Sequence, residues 1–183
     1  MKVEDFLDWD EEELPPETEE EVFGQLIRAI RNNEGAGWFF VQCSPAKGAE
    51  TIKRLQASFG TVAVAVMDLN RQSQTFYEEA KARYEREQFS VLVVRGVEQA
   101  LYGYEDTKRL LGWEDAKLWN YSSQDVPPLL NYFNQIRECL RDNLPCAIVF
   151  ILPTFAVQYL MLRAPDFYDW RGGLFVLPEE IEQ

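Results

Sequence analysis

The chain has 183 residues, of which 46% are hydrophobic and 14% aromatic, and its formal net charge is −13. This length favours one globular domain with a core of several strands. Three cysteines without C-x-x-C spacing and the lack of histidine argue against a disulfide framework and against most zinc or haem sites. With no long apolar run and no secretory signal pattern in the sequence, we expect a cytoplasmic protein that does not bind membranes.

Most of the negative charge lies in the first 21 residues, where eleven acidic residues and one lysine give a charge of −10. No basic stripe is left to contact a nucleic-acid backbone, so we expect no nucleic-acid partner. Residues 1–17 read as an acidic and flexible tail, in which Phe6, Leu7 and Trp9 are candidates for binding a protein partner. The alternative, given equal weight, is that Phe6 and Trp9 fold back on the domain.

Thr18 and Glu21 then form the pattern of a capping box at the start of a helix. After it, short apolar runs alternate with amphipathic segments, which predicts an α/β domain over residues 18–178 with a mostly parallel sheet of about five strands flanked by helices. Residues 96–124 are the least regular part, with one short helix near 107–111, and we expect them to cover an edge or a strand end. The predicted strands are 38–43, 61–69, 89–94, 146–152 and 173–177, and the predicted helices are 18–33, 46–59, 72–87, 126–142 and 155–162.

The segment after the first strand has the position of a phosphate-binding turn, G-x-x-x-x-G-K-[ST]. Aligned on Gly48, the first glycine is replaced by Cys43, the lysine by Ala49 and the magnesium-binding hydroxyl by Glu50. A carboxylate repels phosphate, so we predict that the domain neither binds ATP tightly nor hydrolyses it.

The end of the third strand also lacks the acids that a phosphate-transferring enzyme uses to hold magnesium, because Arg95 and Gly96 stand there. We predict no catalytic residue and no metal site, and we expect Arg95 either to be neutralised within the fold, with Asp68 and Glu98 as its candidate partners, or to be exposed beside the strand ends. The alternative is a weak nucleotide site, in which ATP and magnesium would be held by rebuilt positions with Asp68 or Glu98 supplying the acid. Its candidate nucleotide-binding residues are Ser44, Lys47, Gly48, Thr51 and Asp68.

Three later segments, FNQIRE at 133–138, PCAIVFILP at 145–153 and APDFYDWRGGLF at 164–175, resemble the STAND/AAA-like P-loop domains at the N-terminus of bacterial, especially cyanobacterial, tetratricopeptide-repeat proteins. In that group an L-N-x-x-R-E helix precedes a strand ending in L-P, and an A-P-D-F-W-x-W-R-S-G-x-F segment closes the domain. The resemblance implies a three-layer P-loop-NTPase-like fold. Phe133, Tyr168 and Gly172 depart mildly from this pattern. A purely structural alternative for residues 166–171 is that Asp166 caps a short helix and Arg171 pairs with an acid.

The resemblance, combined with the degenerate turn, predicts a non-hydrolytic domain that serves as a protein-interaction or regulatory module of a signalling or scaffold protein. The alternative is a weak ATP-binding or ATPase domain of the same type. We expect residues 179–183 to be the start of a linker.

Overall fold

The computed structural model describes residues 15–70, 75–110 and 126–179, with side chains as far as Tyr104 in the second of these ranges. Phe6, Leu7 and Trp9 lie outside the described residues, as do Trp113, Trp119 and Tyr121. The described helices are α1 (Glu19–Arg31), α2 (Pro45–Phe59), α3 (Phe76–Glu87), α4 (Val97–Leu110), α5 (Pro128–Asn143), α6 (Thr154–Arg163) and α7 (Pro165–Asp169); the strands are β1 (Gly37–Gln42), β2 (Val64–Asp68), β3 (Val91–Arg95), β4 (Ala147–Leu152) and β5 (Gly173–Val176).

The five strands form one sheet in the order β2-β3-β4-β1-β5, and every pair in it is parallel. Alternate residues of each strand face opposite sides, so Trp38 and Phe40 of β1 enter one apolar cluster while Phe39 and Val41 enter the other. The first cluster also contains residues of α3 to α7, and the second contains residues of α1 and α2. The predicted three-layer α/β architecture is therefore confirmed.

The capping box is also confirmed, because the Thr18 N–H donates to Glu21 Oε2 at 2.7 Å and the Glu21 N–H donates to Thr18 Oγ1 at 3.3 Å. The second strand is shorter than predicted. Residues 61–63 form a turn instead, in which the Ala63 N–H donates to the Gly60 carbonyl at 3.2 Å.

The prediction for the segment after β3 was wrong in its first part. Residues 97–110 form one continuous helix, α4, rather than irregular chain with a short helix near 107–111. Gly96 completes the turn out of β3 within a single residue, and Val97 and Leu101 are then fully buried one helical turn apart. Val97 and Leu101 thus form the buried apolar face of α4. The sequence analysis missed this helix because the segment is rich in aromatic residues.

Candidate functional site

A crevice opens where β1 and β4 end. These neighbouring strands are followed by helices on opposite faces of the sheet, α2 after β1 and α6 after β4. In open parallel sheets, ligands bind at such a reversal, outside the carboxyl ends of the strands. A pocket of about 300 Å³ lies there, lined by Cys43, Pro45, Gly48, Asp68, Leu69, Arg95, Gly96, Glu98, Gln99, Ile151, Leu152 and Pro153.

The connection from β1 to α2 is too short for a phosphate-cradling loop, since only Cys43 and Ser44 lie between the strand and the helix. Ser44 is the N-cap of α2, and its Oγ accepts a hydrogen bond of 3.3 Å from the Lys47 N–H. The Gly48 N–H donates to the Ser44 carbonyl at 2.8 Å. Both of these N–H groups, which a phosphate would need, are therefore bonded within the chain.

Lys47 reaches towards α1. Its Nζ lies 2.7 Å from Glu19 Oε2 and 3.7 Å from Glu50 Oε2, and its side chain is only 12% exposed. Arg54 reinforces this contact between the two helices, because it binds Glu19 at 3.0 Å and Glu20 at 2.8 Å. Lys47, which the sequence suggested as a candidate phosphate ligand, thus holds α2 to α1.

Gly48 has a packing role in the structure. A Cβ built on it would lie 2.7 Å from Cγ2 of Ile151 on β4, which is closer than side-chain contacts allow. Thr51 is buried, and its Oγ1 donates to the Lys47 carbonyl at 2.8 Å within the same helix. Ala49 replaces the lysine of the phosphate-binding pattern and Glu50 replaces its hydroxyl residue. Both are exposed on α2.

Asp68 and Arg95 end the neighbouring strands β2 and β3 at the same level of the sheet. Arg95 donates through Nε to Asp68 Oδ1 at 2.7 Å and through Nη2 to Asp68 Oδ2 at 2.9 Å. The prediction that Arg95 is neutralised within the fold is therefore confirmed, with Asp68 as its partner. This two-pronged geometry fits a guanidinium to a carboxylate and positions both side chains beside the pocket.

Gly96 follows Arg95 with a φ of 87°, a conformation that favours glycine. A Cβ at this position would also meet the Leu69 carbonyl oxygen at 2.2 Å. The glycine that stands in the place of a magnesium-holding acid is thus required by the turn between β3 and α4.

Cys43 lines the pocket as a buried thiol. Burial raises the pKa of Cys43 to about 11, and the nearby Lys47 charge only partly opposes this effect. Cys43 is therefore protonated at neutral pH and is a poor nucleophile. Among the residues that the structure describes, no group of three or more histidine, cysteine, aspartate or glutamate side chains could hold a metal ion.

Two of the three segments that carry the family resemblance, those at 133–138 and 164–175, meet on the other face of the sheet. The Phe167 N–H donates to Asn134 Oδ1 at 3.0 Å, and Trp38 Nε1 donates to the Phe167 carbonyl at 2.9 Å. The guanidinium of Arg137 lies 5.3 Å from the centre of the Trp170 ring. These two segments therefore form one structural cluster around Phe167, whereas Ile151, Leu152 and Pro153 of the third segment line the pocket.

Both parts of the structural interpretation of residues 166–171 were wrong in detail. The short helix α7 is present, but its N-cap is Ala164 and no side chain caps it. Arg171 donates to the Tyr168 carbonyl at 3.0 Å and stacks on the Tyr168 ring at 3.8 Å, and it pairs with no acid among the residues that the structure describes.

Sequence reasoning missed Glu19 as the partner of Lys47 and named Glu98 only as a possible acid. Glu98 lines the pocket, and its Oε2 is buried without a hydrogen-bond partner among the described residues. The one sequence signal for Glu98 was its place two residues after Gly96, the glycine that follows the third strand.

The sequence matches no protein-family model and no curated protein. Within the described ranges, no helix is both long enough and apolar enough to span a bilayer.

Proposed function

We propose that this chain is a degenerate P-loop-like domain of the STAND/AAA type that does not hydrolyse nucleotide and serves as a protein-interaction or regulatory module in the cytoplasm. The observation that carries the proposal is the ion pair of 2.7 Å between Lys47 and Glu19. A lysine held by a carboxylate of another helix is not available to the outer phosphates of a nucleotide.

Three further observations support the absence of nucleotide chemistry. Ser44 caps α2 where a phosphate would bind, Thr51 bonds inside the helix, and Asp68 is held by Arg95. Each residue of the alternative nucleotide site has a structural role that explains its presence.

A titration calorimetry experiment with ATP, with and without magnesium, tests the proposal. We expect no binding heat for the natural chain and none for Glu19→Gln, which releases Lys47 from its partner but does not rebuild the loop. Glu20→Gln is the matched control on the exposed side of the same helix turn. Magnesium-dependent binding at low-micromolar affinity that disappears in Lys47→Ala would favour the alternative of a weak ATP-binding domain.

The partner contact in this proposal is the acidic tail with Phe6, Leu7 and Trp9, and the partner offers a basic and apolar groove. Removing residues 1–16 should abolish capture of that partner and leave the thermal midpoint almost unchanged. Trp9→Ala should weaken the capture, with a marked dependence on salt. Val62→Ala, which removes an exposed apolar side chain of the domain, is the control that should keep it.

A truncated domain that loses several degrees of thermal stability, together with a Trp9 indole that is already shielded in the isolated protein, would refute the partner role of the tail.

A further inference from the structure

β5 is an edge strand, which ends the sheet beside β1. The Leu177 N–H donates to the Gln42 carbonyl of β1 at 3.0 Å. Successive residues of a strand point their backbone N–H and C=O groups to opposite sides, so those of Leu174 and Val176 point away from β1. No hydrogen bond from the described residues reaches these outward groups.

The opposite edge of the sheet, on β2, is blocked. The Leu69 N–H donates to the Arg95 carbonyl of β3 at 2.7 Å, so the backbone groups of Val66 point outward. The Arg83 guanidinium of α3 donates to the Val66 carbonyl, and Asp68 ends the strand with a charge. Both features hinder the addition of another strand at this edge.

β5 presents an apolar surface beside its outward backbone groups. Its four residues, Gly173–Val176, include no charged residue and no proline. Phe175 enters the apolar cluster that contains α1, whereas Leu174 lies on the other face of the sheet and is half-buried. Val176 shares the face of Leu174 and is 48% exposed. An edge strand with these properties is able to accept a further strand.

The sequence around β5 is complementary to itself in the antiparallel direction. If Phe175 faces Phe175 of a second copy, Leu174 faces Val176 of that copy, and their outward groups can exchange N–H···O bonds. The same register places Arg171 opposite Glu179, which is exposed. The described contacts of Arg171 are with Tyr168 rather than with a carboxylate. Opposite charges at facing positions stabilise a strand pair.

The neighbouring antiparallel registers lose this match. Outward groups occur at alternate residues, so the next registers are shifted by two residues. One of them places Glu179 opposite Asp169 of the second copy, which is a like charge, and the other places it opposite Gly173. The charges therefore favour the register centred on Phe175.

We propose that two copies of this chain associate through β5, antiparallel about a two-fold axis at Phe175, so that their sheets become continuous. Val176 of each copy packs on Leu174 of the other, and Arg171 pairs with Glu179. A two-fold axis uses the same surface on both copies and closes the assembly at a dimer. Because the paired strands are short, the dimer is weak and reversible. This interface does not depend on the family resemblance or on partner binding by the tail.

Sedimentation velocity of the full chain over about a hundredfold range of concentration measures the association. We expect a reversible equilibrium between monomer and dimer. Glu179→Arg should weaken it about tenfold, because like charges then face each other at both ends of the strand pair. Arg171→Glu should have the same effect, and the double variant should restore the dimer. Glu85→Arg is the control, because it makes the same change in net charge at an exposed position of α3.

Amide hydrogen exchange of the natural chain gives a second measurement that does not require a variant to fold. The amides of Leu174 and Val176 should exchange quickly in dilute solution and slowly at high concentration, whereas the Phe175 amide, which points to β1, should be protected in both.

The proposal is overturned if the natural chain stays monomeric, if Glu179→Arg weakens association no more than Glu85→Arg does, or if the double variant associates no better than the single ones. Equal protection of the Leu174 and Val176 amides at every concentration would also overturn it. That result would mean that another part of the same chain, such as residues 1–14, covers the edge of β5.

Discussion

Lys47 of α2 and Glu19 of α1 are joined by an ion pair with 2.7 Å between Nζ and Oε2. It connects the first turns of the two helices that cover one face of the sheet. Arg54, which lies two turns further along α2, also binds Glu19, at 3.0 Å. The Glu19 carboxylate therefore contacts two cationic side chains of α2. The start of α2 is thereby fixed against α1 beside the crevice.

Replacing Lys47 with alanine should lower the free energy of unfolding by about 1–2 kcal/mol, because Glu19 keeps Arg54 as its second partner. Urea denaturation measures the change. Lys53→Ala, an exposed lysine on the same helix, should shift the value by less than about 0.5 kcal/mol. Equal effects of the two substitutions would mean that the ion pair contributes nothing to the fold.

Gly48→Ala should destabilise the protein by about 1–3 kcal/mol, since the new Cβ enters the space of Ile151. The control is Gly24→Ala in α1, where the nearest atom to a new Cβ is Arg28 Nη1 at 3.9 Å. There the better helix propensity of alanine should stabilise the protein by about 0.5–1 kcal/mol. A stabilising Gly48→Ala would show that α2 can move away from β4 without cost.

The contact between Asn134 and Phe167 connects α5 to α7, and Asn134→Ala should cost about 1–2 kcal/mol by leaving the Phe167 N–H without its acceptor. Asn131→Ala is the matched control, because this exposed asparagine lies on the same helix and gains the same propensity. The difference between the two variants in urea denaturation therefore reports the hydrogen bond together with the packing of the half-buried Asn134 side chain. If the two variants are equally stable, the cluster around Phe167 is stabilised by its aromatic packing alone.

Alkylation should distinguish the three cysteines. Cys139 is exposed, while burial raises the pKa of Cys43 to about 11 and that of Cys146 to about 12. Iodoacetamide at about pH 8 should modify Cys139 in the folded protein and reach the other two only after denaturation, because the thiolate is the reactive form. Peptide mass mapping with Cys139→Ser as the control measures this. Modification of Cys43 in the folded state would mean that the crevice opens.

The strands and the layering could be predicted from sequence because each central strand is apolar on both faces, as a sheet covered by two helix layers requires. All six residues of β4 are buried. The apolar pattern of a strand and the capping of a helix depend on residues that are close in sequence. The capping box of Thr18 and Glu21 could therefore also be predicted from the sequence.

The roles of the site residues depend on partners that are distant in sequence. Lys47 was a candidate phosphate ligand until its position opposite Glu19 was known, and Gly48 was a candidate loop glycine until its distance from Ile151 was known. Motif spacing does not show which side chain lies across a helix pair. By contrast, the Arg95 and Asp68 pair could be predicted, because both residues end strands that we expected to be parallel.

The place of β1 in the sheet has a consequence for how the protein is made. β1 begins at Gly37, whereas the two strands that hydrogen-bond to it begin at Ala147 and Gly173. A ribosome therefore produces β1 early and both of its neighbours, β4 and β5, late. Until Ala147 and the residues after it emerge, the nascent chain carries Phe39, Phe40 and Val41 with both edges unpaired, a state that invites aggregation. Premature termination after β1 but before β4 should thus yield insoluble fragments, and slow synthesis of the segment between them would prolong the chain's need for a chaperone.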